Sequence, residues 1–172
     1  MKGNLRDERE NTEGDRPVGK VREQQLSQVV SELKLDKQNG ATMGRLLNHG
    51  GIGHVEEDAD GRMKIQIRIP EDELIYSPSI TVMPHAGELE IEFFNDDKNT
   101  HCAMVPNNGG YKWIGLPNHS TGKVNVTLDG PGYYWYSSNF GNDEGRGLMA
   151  AIVVMGDVPE EARLDRPAQP RP

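Results

Sequence analysis

The chain has 172 residues, with 27 Asp plus Glu against 19 Lys plus Arg and a formal net charge of -8. So acidic a chain lacks the clustered cations that displace counterions from nucleic acid, which argues against nucleic acid and anionic membrane surfaces as partners. Hydrophobic residues make up 34%, and with Gly 20 and Pro 11 this points to a modest β-rich core and solvated ends.

Residues 1–22 are charged and poor in apolar anchors, and are expected to form a disordered or loosely docked arm. No apolar h-region follows Met1, so no signal peptide is visible, and no window approaches the ~18 apolar residues of a membrane span. From Gln24 to Lys37, Leu26, Val29, Val30 and Leu33 recur at helical spacing. They predict a one-sided amphipathic helix, stopped by Asn39-Gly40, that docks on the rest of the chain or on a second copy. Thr42 is placed to cap a short second helix, Met43 to Leu47, ended by Gly50 and Gly51. Residues 23–60 thus read as a helical, Gly/His-rich extension, with His49 and His54 in a glycine loop.

A β run follows. Met63, Ile65, Ile67 and Ile69 alternate with polar residues, as do Leu89, Ile91 and Phe93 with Glu88, Glu90 and Glu92. Further strands are expected at 79–83, 101–105, 123–128, 133–137 and 148–155. Ala86-Gly87, Asn107-Asn108-Gly109-Gly110 and Asp129-Gly130-Pro131-Gly132 supply turns. About seven short strands at this spacing argue for an antiparallel sandwich or barrel over residues 61–157. The end, 158–172, is Pro-rich and reads as a solvated tail. The single cysteine, Cys102, excludes an internal disulfide and any CxxC zinc, redox or covalent haem motif. No P-loop, Ser-His-Asp order or supported carboxylate pair is visible.

Four segments between Ser79 and Met155 carry a resemblance. They are Val82-Met83-Pro84-His85-Ala86-Gly87-Glu88-Leu89, Phe94-Asn95-Asp96-Asp97-Lys98-Asn99-Thr100-His101, Gly132-Tyr133-Tyr134-Trp135-Tyr136-Ser137-Ser138 and Met149-Ala150-Ala151-Ile152-Val153-Val154. In order and spacing they resemble the cupredoxin family of copper electron carriers, above all its members related to cytochrome oxidase subunit II. The resemblance implies an all-β, cupredoxin-like Greek-key sandwich with an N-terminal helical extension, and an extracytoplasmic, periplasmic setting. It places His101 and Met149 on ligand positions. It also places Ser138, Asn142 and Arg146 where that family's copper patterns have two thiolates and a second histidine. A serine hydroxyl cannot supply the soft anionic donor of blue copper.

Three functions stay open on these residues. One is an electron-transfer or redox protein holding a non-blue copper or a non-covalent haem, with His101 and Met149, and with His49, His54, His85 or His119 as further ligands. The second is a cupredoxin-like binding or assembly module with no cofactor at all, docking to a redox partner or oxidoreductase. The third is a small metal-dependent oxidoreductase, which lacks an identifiable general base.

Overall fold

The computed structural model of the chain describes the backbone of residues 37–157 and the side chains of residues 41–157. The expected arm, the amphipathic stretch from Gln24 and the Pro-rich tail lie outside the described residues. A helix, α1 (Lys37–Gly50), is followed by ten strands. These are β1 (Ile52–His54), β2 (Glu56–Glu57), β3 (Met63–Ile69), β4 (Ile80–Met83), β5 (Gly87–Asn95), β6 (His101–Asn107), β7 (Gly110–Leu116), β8 (Ser120–Leu128), β9 (Gly132–Ser137) and β10 (Met149–Val154). They form a six-stranded sheet in the order β1-β4-β10-β9-β6-β7 and a four-stranded sheet in the order β2-β3-β5-β8. Two packed sheets make the β-sandwich that the resemblance implies, but they are mixed and not antiparallel throughout: β4 runs parallel to β1 and β10, and β3 runs parallel to β5. Residues 52–57, which the sequence pattern leaves in the extension, supply an edge strand to each sheet.

The alternation read in the sequence is the alternation of burial. In β3 and β5 the apolar residues Met63, Ile67, Ile69, Leu89, Ile91 and Phe93 face inward, while Lys64, Gln66 and Arg68 face water. They meet Ala103, Val105, Leu116, Tyr136, Ala150 and Ile152 from the other sheet. Tyr76, Phe93 and Tyr136 form a tilted aromatic trio at the centre of this core, with ring centroids 5.0 to 6.2 Å apart. The Tyr136 hydroxyl is buried without a protein partner among the described residues. Tyr136→Phe is therefore expected to leave stability unchanged or raise it by about 1 kcal/mol, checked by urea unfolding.

β10 is apolar on both faces because both are covered. Ala150 and Ile152 point into the sandwich. Ala151 and Val153 point outward with Ile80 and Val82 of β4, where Met43, Leu46 and Leu47 of α1 pack on them. This contact explains why α1 runs through Asn39, Gly40 and Thr42, where the sequence suggested a stop and a cap: burial of three large side chains outweighs about 1 kcal/mol of glycine cost per position. The helix does end at Gly50, with Gly51 left-handed (φ 81°) and its amide on the Leu47 carbonyl at 3.1 Å. Gly50 itself lies against the Tyr76 carbonyl, where a Cβ would come within 2.0 Å.

Strand β7 was not legible in the sequence. Its residues Tyr111, Lys112 and Trp113 are exposed, so the strand shows no buried alternation, yet it pairs with β6 along its whole length.

Candidate functional site

The pole of the sandwich is built by the β5–β6 loop, residues 96–100, the β9–β10 loop, residues 138–148, and the segment 72–74. Asn95 organises the first of these. Its side-chain amide donates to the carbonyls of Asn99 (2.9 Å), Leu116 (2.9 Å) and Pro117 (3.2 Å), and its Oδ1 accepts the Asp97 amide at 2.9 Å. Asn95 is buried, so these bonds replace all its contact with water. In the second loop a single 3-10 turn, Glu144–Arg146, carries Asp143 inward. The chain returns through Gly147, whose φ of 115° favours glycine.

The two loops meet on His101. Its Nε2 lies 2.8 Å from Asp97 Oδ2, and its Nδ1 lies 2.7 Å from Asp143 Oδ2. The side chains of His101, Asp97 and Asp143 are only 3%, 4% and 12% exposed. An ionised carboxylate only accepts hydrogen bonds, so a ring that serves both donates from both nitrogens. The same Asp143 Oδ2 accepts the Ser138 hydroxyl at 2.8 Å. Ser138 Oγ in turn receives the Cys102 amide at 3.2 Å, and Cys102 Sγ donates to Asn139 Oδ1 at 3.0 Å.

Asp97 is perturbed by this network. Burial pushes its carboxyl up, but the Asp72 amide, His101 and the Lys98 amide outweigh that and hold its pKa at about 2. A lowered folded-state value contributes stability that is present above the ordinary carboxylate value and is lost as pH falls toward about 2. Melting temperatures taken from pH 6 down to pH 2 are expected to fall through that window, and more shallowly in Asp97→Asn.

Met149 does not join His101. It opens β10 opposite Ser137 of β9, which stands opposite Met104 of β6. Directly opposed residues share a face, and Met104 is an odd number of positions from His101, so Met149 and His101 lie on opposite faces of the sheet. Met149 packs instead with the α1 cluster. The other histidines are apart. His49 is exposed on the last turn of α1, and His54 is exposed on the edge strand β1. His85, in the β4–β5 turn, bonds the Ala86 carbonyl and Glu57, both at 2.8 Å, and these contacts raise its pKa in that order. His119 is exposed in the β7–β8 turn with φ 56°, though its amide reaches the Asp97 carbonyl at 3.1 Å.

This donor set does not fit the copper that the fold family implies. The pole offers a hydroxyl where a thiolate is required, an imidazole with a carboxylate oxygen within 2.8 Å of each ring nitrogen, and no thioether. Among the described residues no group of three or more His, Cys, Asp or Glu is arranged to hold a metal ion. Asp143 Oδ2 bridges His101 and Ser138, which the sequence resemblance sets on ligand positions: a carboxylate sits between them. Sequence reasoning passed over Asp97 and Asp143. The signal was present in Asp97-x3-His101, one carboxylate in the lead-in to a histidine.

Beside this clamp of His101 between Asp97 and Asp143 opens a cleft of about 740 Å³ lined by Asp72, Glu73, Lys98, Asn142 and Arg146 as well as the three clamp residues, with half-exposed Phe140 on its wall. It is polar and mixed in charge.

Residues 21–172 match the protein family described as PQQ-associated. The chain belongs to that family. No curated protein sequence matches it. Among solved structures the chain is similar to auracyanin from Roseiflexus castenholzii (TM-score 0.50, 13% identity, covering 54% of this chain and 97% of that one). It is also similar to auracyanin B (0.51, 15%, 59% and 94%). A third is the metal-binding domain of the Cu(I)-exporting P-type ATPase CopA of Streptococcus pneumoniae D39 (0.50, 15%, 61% and 96%). At such identities the likeness carries the fold: this is a cupredoxin-like sandwich of the kind found in copper proteins. Among the described residues no helix is long and apolar enough to cross a membrane.

Proposed function

We propose that the chain is a metal-free, cupredoxin-type domain that serves a redox enzyme by docking to it outside the cytoplasm. One observation carries the reading: Asp143 Oδ2 is held by His101 Nδ1 at 2.7 Å and by Ser138 Oγ at 2.8 Å, the two positions that the sequence resemblance assigns to copper ligands. A haem or copper taken by His101 must displace Asp97 or Asp143 from a buried ring nitrogen, taking from a buried carboxylate its imidazole partner. The family description supports the partner class, an enzyme that uses pyrroloquinoline quinone. The pole supports the mode, because Phe140 is a half-exposed aromatic beside a polar cleft, the kind of anchor that dominates docking energy.

The test is a binding titration of the purified full-length chain against a PQQ-dependent dehydrogenase from the same source, by calorimetry. A saturable complex is expected, weakened about tenfold or more by Phe140→Asp with no change in melting temperature. No complex, together with one equivalent of iron or copper in protein isolated from the native host, would refute the proposal and favour the metal- or haem-binding reading.

A further inference from the structure

Strand β7 is an open edge of the six-stranded sheet. The two-residue turn Asn108-Gly109 sets its register on β6, with Asn107 opposite Gly110, Val105 opposite Lys112 and Ala103 opposite Ile114. In such a hairpin the residues flanking the turn exchange both backbone hydrogen bonds, and the exchange recurs at every second pair. Gly110, Lys112, Ile114 and Leu116 therefore direct their N–H and C=O groups to β6, and Tyr111, Trp113 and Gly115 aim theirs away from it. Strand β8 does not take them. It lies beneath β7: Lys112 Nζ donates to the Asn125 carbonyl at 2.6 Å, and the Ile114 and Leu116 side chains approach Gly122. Among the described residues no hydrogen bond reaches the outward groups of Tyr111, Trp113 or Gly115.

Tyr111 is 63% exposed and Trp113 58% exposed, the two most exposed large apolar side chains among the described residues. The edge that carries them is self-complementary. Set antiparallel to a second copy about a two-fold axis at Trp113, it pairs Trp113 with its own counterpart, Tyr111 with Gly115, and Gly115 with Tyr111, giving about six hydrogen bonds. A register centred two residues on brings in Pro117, which has no N–H, and one centred two residues back runs into the turn. Gly115 suits its place: the Trp113 indole lies back over it, where a Cβ would come within 2.8 Å, so the opposing Tyr111 ring meets the indole. On the other face Lys112 stands opposite Ile114, and no like charges are opposed. No Asp or Glu occurs from 98 to 128 in a chain that has 27, so two copies of net charge -8 meet through carboxylate-free strands. The exposed parts of the four rings and the paired edges amount to roughly 800 Å², the small end of specific interfaces. We propose that β7 pairs edge to edge with β7 of a second copy, joining the two six-stranded sheets in a reversible dimer.

Amide exchange in the unmodified full-length chain tests this without any variant. The Lys112 and Ile114 amides are bonded to β6 and should be protected at every concentration. Those of Tyr111, Trp113 and Gly115 should exchange freely in dilute protein. In protein about a hundred times more concentrated they should exchange roughly tenfold more slowly or less, as the mass in solution doubles. Trp113→Lys opposes two ammonium groups at the axis, and Tyr111→Pro removes an outward N–H without touching a bond to β6. Each should raise the dissociation constant of the dimer about tenfold or more, with the melting temperature of the dilute protein unchanged. A chain that stays monomeric at every concentration would overturn the proposal. So would outward amides protected in a monomer, which would assign the edge to another segment of the chain. A dimer that both substitutions leave intact would overturn it as well, by placing the interface elsewhere.

Discussion

His101→Ala is expected to lower the stability of the domain by about 3–5 kcal/mol, the cost of leaving buried charges without their partner. That corresponds to a fall in melting temperature of roughly 10 °C or more for a domain of this size. The reason lies in the pairing. The substitution strands Asp97, 4% exposed, and Asp143, 12% exposed, in one cavity with no cation between them. Two ionised carboxylates would then face each other across the vacated ring. If the clamp is the source of the effect, it must be non-additive. In the His101→Ala background, Asp143→Asn should cost little or restore part of the loss, whereas alone it breaks the Nδ1 ion pair and destabilises. A histidine kept only as a metal ligand predicts the opposite pattern, with little change in the metal-free protein.

Asn95→Asp is the second large effect, at about 3 kcal/mol or more. The change is isosteric and keeps Oδ1 as the acceptor of the Asp97 amide. It replaces the amide nitrogen with an oxygen that points at the carbonyls of Asn99, Leu116 and Pro117. Three acceptors lose their donor, and a further negative charge enters the buried region that already holds Asp97. Asn125→Asp, on the exposed face of β8, is the matched control and should stay within about 0.5 kcal/mol of wild type. Urea unfolding of the three proteins at pH 7 checks the pair. Equal stabilities for Asn95→Asp and wild type would show that the hub does not hold the pole together.

The strands that bury one face were legible because period two survives in their residues, as in Met63 to Ile69 and Glu88 to Phe93. β7 was not, since an edge strand with Tyr111, Lys112 and Trp113 exposed carries no burial pattern. The break expected at Asn39-Gly40 was local chemistry overruled by Met43, Leu46 and Leu47 seated on β4 and β10. His101 lies at the pole, and its partners come from 4 positions before it and 42 after it. The second separation cannot be read from spacing. Asp143 also sits in a polar turn, Asn142 to Gly147, that reads as solvent-exposed until the turn is seen to carry one carboxylate inward. Met149 shows the converse. It holds a ligand position in the sequence pattern, yet strand parity sends it to the other face.

The central claim is that His101 is committed through both nitrogens to carboxylates. Nitrogen-15 spectra of the imidazole rings in the full-length protein at pH 7 test it directly. The prediction is a pair of protonated ring nitrogens for His101, assigned by loss of the signals in His101→Gln and unmoved by one equivalent of Cu(I), Cu(II) or Zn(II). A His101 ring with one unprotonated nitrogen, whose signal shifts or broadens as a single equivalent of metal is added, would contradict the account.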